Sequence, residues 1–135
     1  IPNPADPDKI ATFELFEEKI KVEPHLAHGE LWFQLDAEFF GSIAENQADL
    51  KALDANFLAV LEEKLAQEIT RQIHTTYRKL QKTKTDVIEL GFLVHKKYPK
   101  YWKTVKEHWD EEIFPTVPLK DVKVKVCIRH TAMTN

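Results

Sequence analysis

The longest uninterrupted helical pattern in this chain runs from Asp54 to Thr83. Apolar residues recur there at steps of three and four, which places them on one face of a helix. They are Phe57, Leu58, Leu61, Leu65, Ile69, Ile73, Tyr77 and Leu80. No glycine or proline interrupts the run, and the Asp54 carboxylate is suited to cap the first turn. We predict one helix of about seven turns, roughly 40 Å long, enough to span the face of a small sheet.

Two strands are predicted before this helix. In "TFELFEEKIKVEP" the apolar alternation changes phase between Leu15 and Phe16, as it would at a β-bulge. In "ELWFQLDAEFFGSI" the odd-numbered residues are mostly apolar, whereas Gln34, Asp36 and Glu38 lie between them. This alternation is typical of an antiparallel strand with one solvated face. The intervening "PHLAHG" predicts a loose hairpin connection.

The segment "VKVKVCIR" near the end of the chain is the clearest strand. Its apolar residues face one way, and they are Val122, Val124, Val126 and Ile128. Lys123, Lys125, Cys127 and Arg129 face the other way.

Two shorter helices are predicted between the long helix and this strand. Thr85 or Asp86 would cap the first of them, whose inward-facing candidates are Val87, Ile88, Phe92 and Val94 or His95. Pro99 suits the first position of the next helix, where its missing N–H has no cost. That helix would carry its apolar residues on one stripe, namely Trp102, Val105, Trp109 and Ile113.

The order of these elements predicts an α+β fold. We expect an antiparallel β-sheet of three to four strands, with one long helix and two shorter helices packed on one face. The prolines among residues 1–9 indicate a leader or interdomain linker. Residues 10–135 are then a single α+β domain, since 135 residues suffice for one core.

The charge of the chain is divided between its halves. Residues 1–70 contain five Lys or Arg against fifteen Asp or Glu, whereas residues 71–135 contain fourteen against seven. Such a bipolar chain favours contact through one basic face over wrapping by a polyanion. The lysines that stand out as candidates for partner or membrane contact are Lys96, Lys97, Lys100 and Lys103. A solvated basic face would carry the same residues.

Catalytic and metal-binding patterns are weak. His25, His28 and Glu30 could share a metal, but no third ligand at fixed spacing accompanies them. Cys127 and His130 fall on opposite faces of the last strand, so the imidazole could not activate the thiol. We found no glycine-rich phosphate loop and no nucleophile elbow in the sequence. We therefore predict no catalytic, cofactor-binding or metal-binding residue and no cofactor.

The run "LQKTKTDVIELGFLVHKKYPKYWKTVKEHWDE", followed by "VKVKVCIRHT", resembles a known family. It is similar to the C-terminal domain of the C-subunit lipoproteins of bacterial spore germinant receptors. The residues that match the family's motif are Asp86, Gly91, Tyr98, Pro99, Trp102, Trp109, the strand 122–128, Arg129 and Thr131. The resemblance covers nearly the whole chain, but only the last domain of a longer family member.

The resemblance implies a domain that is not an enzyme. It implies an extracytoplasmic interaction domain on the outer face of the spore inner membrane, anchored through a lipidated cysteine upstream of this chain. Its partners would be the integral membrane subunits of the germinant receptor, with an anionic membrane surface as a further contact. The motif residues Asp86, Gly91, Pro99, Trp102 and Trp109 would be structural, and neither nucleic acid nor a small-molecule substrate is expected.

Two other function classes stay open at the level of the residues. The basic stretch from Lys79 to Lys106 could bind nucleic acid, although the acidic half of the chain would be repelled by it. The carboxylates of the first strands, or His25 and His28, could serve a small enzyme if a pocket gathers them.

Overall fold

The computed structural model describes residues 2–3, 6–45 and 55–129. Its elements are β1 (Pro2–Asn3), β2 (Asp6–Ala27), β3 (Glu30–Glu45), α1 (Ala55–Thr83), α2 (Leu90–Lys97), α3 (Pro99–Val105) and β4 (Leu119–Arg129). Three short turns join α3 to β4: a 3₁₀ turn at Lys106–His108, a π-helical turn at Trp109–Ile113 and a 3₁₀ turn at Phe114–Thr116. The strands form one sheet in the order β1-β2-β3-β4. The predicted α+β class is confirmed.

A tight hairpin joins β2 to β3. His28 and Gly29 have φ values of 53° and 77°, and two consecutive residues with positive φ make the type I′ turn that matches the twist of antiparallel strands. The loose loop predicted for "PHLAHG" is therefore wrong, because β2 continues through His25 to Ala27. Gly29 makes the tight turn accessible, since it lacks the Cβ that disfavours positive φ.

The last strand runs parallel to β3, so the sheet is mixed. Lys120 lies over the ring of Trp32 and Arg129 lies over the ring of Phe40, each at 5.2 Å from the ring centroid. Residue numbers increase in the same direction along both strands. The prediction of a purely antiparallel sheet is thus correct for β2 and β3 and wrong for β4. A parallel neighbour is accessible because the helical segment between Glu45 and Leu119 is long enough for a crossover.

The sheet begins before the predicted domain start at Ile10. Pro2–Asn3 forms β1, which pairs antiparallel with β2, and Asp6–Lys9 already belongs to β2. Prolines are compatible with such a position because an edge strand can do without some N–H donors. That residues 10–135 form one domain stays a prediction, because the described residues group into two compact units.

The first unit comprises the described parts of residues 1–20, 37–70 and 123–135. Its buried apolar side chains come from β3, α1 and β4, and they are Ala37, Phe39, Phe40, Ile43, Leu58, Leu61, Leu65, Val126 and Ile128. Glu62 of α1 accepts a hydrogen bond from the backbone N–H of Ile128 at 2.9 Å. Arg129 also lies over the ring of Phe16.

The second unit comprises residues 21–36 and 71–122. Its buried cluster draws on β3, on all three helices and on the turns that follow them: Leu31, Phe33, Tyr77, Leu90, Val94, Val105, Trp109, Phe114 and Val117. Edge-to-face ring pairs, such as Tyr77 with Phe114 at 5.8 Å between centroids, fix the packing of this cluster.

The helices agree with the sequence in part. The long helix is confirmed as α1, whereas its predicted cap, Asp54, lies outside the described residues. Pro99 begins α3 as predicted. The second helix starts at Leu90 and not next to Thr85 or Asp86. Of its inward-facing candidates Val94 is buried, while Val87, Ile88 and Phe92 are exposed.

Candidate functional site

The second unit contains a cluster of hydrogen bonds around Asp86. Its carboxylate accepts from the backbone N–H groups of Leu90 at 2.8 Å and Gly91 at 2.6 Å, and from the indole Nε1 of Trp109 at 2.8 Å. The first two donors begin α2 and have no partner inside the helix. Asp86 therefore caps α2 from four residues ahead and ties it to Trp109.

Gly91 lies against two tryptophan rings at the same place. A Cβ at this position would come within 2.7 Å of Cη2 of Trp102 and 2.8 Å of Nε1 of Trp109. The two rings are themselves in contact, with centroids 5.4 Å apart. The structure thus brings four of the five motif residues into one cluster, which we call the Asp86 cluster: Asp86, Gly91, Trp102 and Trp109.

Pro99, the fifth motif residue, stands at the corner between α2 and α3. The preceding residue, Tyr98, donates its N–H to the Val94 carbonyl at 2.7 Å and accepts from the N–H of Trp102 at 2.9 Å. Its hydroxyl oxygen accepts from the backbone N–H of Leu26 at 3.2 Å. The corner is therefore held by both helices and by β2.

The four candidate lysines differ in their surroundings. Lys96, Lys100 and Lys103 are exposed. Lys97 is also exposed as a residue, but its Nζ donates to the Pro24 carbonyl at 3.0 Å and lies 5.5 Å from the centroid of the Tyr98 ring. Lys97 therefore has a structural contact of its own, and a binding role for the four residues stays a prediction.

A shallow groove of about 350 Å³ lies beside this corner. It is lined by Leu26, Lys97, Tyr98, Pro99, Lys100 and Tyr101. Burial raises the pKa of Tyr101 above its usual value, so its hydroxyl stays protonated at neutral pH. The groove, which we call the tyrosine groove, combines an apolar surface with two ammonium groups and can hold an apolar segment that carries negative charge.

A second groove of about 390 Å³ lies near the β2–β3 turn. Its lining includes Trp32, Tyr101, Ile113 and Lys120. The Trp32 ring stacks on His25 at 5.5 Å between centroids, on the same strand pair that places Lys120 over it. The tryptophan is thereby fixed in orientation.

The candidate metal residues do not come together. Nε2 of His25 lies 3.0 Å from Oε1 of Gln34, and the Gln34 amide donates to Asp36 at 3.2 Å. His28 is in the β2–β3 turn. Over the part of the chain that the structure describes, no three His, Cys, Asp or Glu side chains are arranged to hold a metal ion.

Two features of this region were missed from the sequence. One is the tyrosine groove, for which the aromatic residues on either side of Pro99 were the available signal. The other is the exposure of Val87, Ile88 and Phe92, which the helical period places inward. No helix among the described residues is both long and apolar enough to cross a membrane.

Fold and cluster together define the class of protein. It is an α+β domain with a mixed sheet and a long helix, in which an aspartate, a glycine and two tryptophans fix the helical corner. The chain matches the family model described as spore germination B3/GerAC like, C-terminal, over residues 1–132, and it belongs to that family.

Relatives of known name agree with this assignment. The chain is 29% identical to spore germination protein KC of Bacillus subtilis strain 168 over 92% of its own length, and 30% identical to spore germination protein B3 of the same strain over 85%. It spans 30% and 31% of those two proteins.

A solved structure has the same fold. The crystal structure of the GerBC protein superposes with a TM-score of 0.79 at 29% identity. The match covers 91% of this chain and 38% of that one. The chain therefore corresponds to about a third of the longer proteins that it resembles.

Proposed function

We propose that this chain is a non-enzymatic, extracytoplasmic interaction domain of a spore germinant receptor lipoprotein subunit. It acts in nutrient-triggered germination together with the integral membrane subunits of the receptor. In the longer protein a lipidated cysteine upstream of the domain holds it at the outer face of the spore inner membrane. The observation that carries this proposal is the family match over residues 1–132, joined to relatives named as spore germination proteins.

The bonds of the Asp86 cluster support an interaction role over a catalytic one. Catalytic carboxylates need free lone pairs directed at a substrate. Asp86 instead uses its oxygens on Leu90, Gly91 and Trp109, all within the domain. The conserved chemistry of the motif, as the resemblance implies it, is therefore spent on shape.

The tyrosine groove supplies the contact surface of this proposal. Leu26, Tyr98 and Tyr101 offer apolar area, and Lys97 and Lys100 add positive charge. Such a surface suits an extended partner segment that alternates apolar and acidic residues. Lys96 and Lys103 extend the positive charge along α2 and α3. The mechanism is contact: the domain holds the membrane subunits in the arrangement that responds to germinant.

Charge reversal in the full-length protein tests the proposal. We expect Lys100→Glu with Lys103→Glu to slow the fall in optical density of spores after nutrient addition, and to reduce co-purification of the membrane subunits. Each well-placed charge pair at an interface rim contributes mainly to the association rate. Lys123→Glu with Lys125→Glu, on β4, is the matched control with the same change in net charge.

A trigger that bypasses nutrient receptors separates the outcomes. Spores of the double variant should germinate normally with that trigger, because only the receptor is affected. Unchanged nutrient germination and unchanged co-purification would remove the groove from the proposal. Loss of germination with every trigger would indicate a general defect and would also contradict it.

A further inference from the structure

The segment between α1 and α2 displays three large apolar side chains to solvent. Val87, Ile88 and Phe92 are 63%, 53% and 63% exposed. All three were expected to face inward, and we call them the apolar tip. Exposed apolar residues that lie together in a folded chain commonly mark a contact surface.

The backbone holds the apolar tip in this position. Lys84 and Glu89, on either side of Val87 and Ile88, adopt positive φ values of 53° and 59°. Such values are unfavourable for side chains other than glycine and persist where surrounding contacts fix them. The N–H of Glu89 donates to the Asp86 carbonyl at 3.2 Å, and the N–H of Phe92 donates to the Glu89 carbonyl at 3.1 Å.

The Asp86 cluster makes this display rigid. The Asp86 carboxylate bonds both Leu90 and Gly91, so the residues between the two halves of the tip are anchored to the core. Leu90, the residue after Glu89, is itself buried at 5% exposure. A tip fixed in advance loses little conformational entropy when it binds.

Positive charge flanks the apolar tip. Lys84 lies three residues before Val87, and Lys96 lies one helical turn after Phe92 on the same face of α2. Of the two carboxylates in this segment, Asp86 is directed into the domain and only Glu89 is exposed. Asp110, which approaches from the π-helical turn, accepts from the backbone N–H of Asp86 at 3.3 Å.

The apolar tip projects from a short turn, and neither groove described above is lined by its residues. A projecting apolar group with lysines beside it matches the water interface of an anionic bilayer, where acyl chains accept the apolar part and phosphates accept the charge. We propose that Val87, Ile88 and Phe92 insert at the surface of an anionic phospholipid membrane, with Lys84 and Lys96 at the level of the phosphates. The proposal depends on this segment alone and does not require the receptor role.

Vesicle flotation of this chain tests the insertion. We expect it to float with vesicles of one part phosphatidylglycerol to two parts phosphatidylcholine, and to stay behind with phosphatidylcholine alone. Val87→Ser with Phe92→Ser should lower the partition coefficient by about tenfold or more, because two large side chains no longer leave water. The matched control is Leu15→Ser with Ile20→Ser, two residues of β2 that are each 52% exposed.

Charge variants test the headgroup contact independently. Lys84→Gln and Lys96→Gln should each weaken binding by about fivefold, the share expected of one basic residue near an anionic surface. Glu89→Gln should strengthen it, since the one exposed carboxylate of the segment is removed. Lys123→Gln on β4 serves as the neutral control for charge.

Depth and self-association decide among the remaining readings. Phe92→Trp should be quenched by lipids brominated on the acyl chains, which reports insertion. Binding that tracks the lysines but ignores Val87 and Phe92 would overturn insertion, as would binding that is equal on neutral vesicles. A dimer in light scattering that dissociates with Val87→Ser and Phe92→Ser, without vesicle binding, would assign the tip to a second copy of the chain and refute the proposal.

Discussion

Trp109 donates its indole N–H to the carboxylate of Asp86 at 2.8 Å, across 23 positions of sequence. The bond joins the start of α2 to the π-helical turn that follows α3, and Gly91 lies against the same indole nitrogen. Trp109 is 4% exposed, so the carboxylate satisfies a donor that would otherwise be buried without a partner. The relationship explains why an aspartate, a glycine and a tryptophan appear together in this region.

Asp86→Ala should be the most destabilising surface-accessible change in this unit. It leaves the N–H groups of Leu90 and Gly91 and the indole of Trp109 without their acceptor. Hydrogen bonds to a charged group contribute about 1.5–3 kcal/mol each and are not additive, so we expect a loss of about 3–5 kcal/mol. Urea unfolding followed by far-UV circular dichroism measures it.

Glu107→Ala is the matched control, because this carboxylate is exposed in the turn after α3. Its effect should lie within about 0.5 kcal/mol, as for most surface substitutions. A loss of less than about 1 kcal/mol for Asp86→Ala would show that water replaces the carboxylate without cost, and the cluster would not be structural.

Long periodic elements were predictable because each position repeats the same local signal. In α1 the apolar step persists over many turns, and in β4 the alternation of valine and lysine persists from Val122 onward. The start of α2 was not predictable in this way. Lys84 and Glu89 take positive φ without being glycine, and Asp86 caps the helix from four residues ahead. Strand direction was also hidden, since alternation is the same in parallel and antiparallel pairs.

The candidate site was predictable to a similar extent. The motif residues were known from the resemblance, but their mutual contact depends on tertiary structure that no spacing encodes. The exposure of Lys96, Lys100 and Lys103 followed from the polar face of the helices. The tyrosine groove did not, because Leu26 reaches it from β2.

Gly91→Ala should destabilise the domain although alanine favours helices. Alanine gains about 1 kcal/mol of helix propensity over glycine. The added methyl group would lie 2.7 Å from Trp102 and 2.8 Å from Trp109, closer than carbon atoms can approach without movement of the rings. Overpacking of this kind costs about 1–3 kcal/mol, so we expect a net loss of about 1 kcal/mol and a lower midpoint of thermal unfolding.

Near-UV circular dichroism gives a second readout for Gly91→Ala. The coupled rings of Trp102 and Trp109 lie 5.4 Å apart, so displacement of either should change the aromatic spectrum. Gly29→Asn provides the control, because the turn tolerates asparagine at positive φ and nothing lies near the added side chain. An increase in stability for Gly91→Ala would mean that the rings move freely.

Tyr77→Phe should have a small effect at neutral pH. The Tyr77 hydroxyl donates to the Val117 carbonyl at 2.7 Å, but the Gln81 amide donates to the same oxygen at 2.7 Å. The carbonyl therefore keeps a partner when the hydroxyl is removed. We expect a loss of about 1 kcal/mol in urea unfolding at neutral pH. A loss several times larger would show that Gln81 cannot hold the carbonyl alone.

Stability at alkaline pH should distinguish this variant from the natural chain. Burial, followed by the nearby charge of Asp86, raises the pKa of Tyr77 above its usual value. An unfolded tyrosine ionises near pH 10, so above that pH the unfolded state binds fewer protons than the folded state. The stability then falls as pH rises, by up to about 1.4 kcal/mol per pH unit. Tyr77→Phe lacks this contribution, and its loss of stability from about pH 8 to about pH 11 should be smaller. Parallel curves for the two proteins would contradict the raised pKa.

A double-mutant cycle should isolate the bond between Asp86 and Trp109. Trp109→Phe removes the donor while keeping an aromatic ring against Phe33 and Phe114. Asp86→Asn keeps the shape of the acceptor and removes its charge. If the charge-assisted bond acts directly, the two changes together should cost about 1–2 kcal/mol less than the sum of each alone. Trp32→Phe, whose ring stacks on His25, should show coupling to Asp86→Asn below about 0.5 kcal/mol. Equal coupling in both cycles would mean that Asp86 acts through the whole domain and not through Trp109.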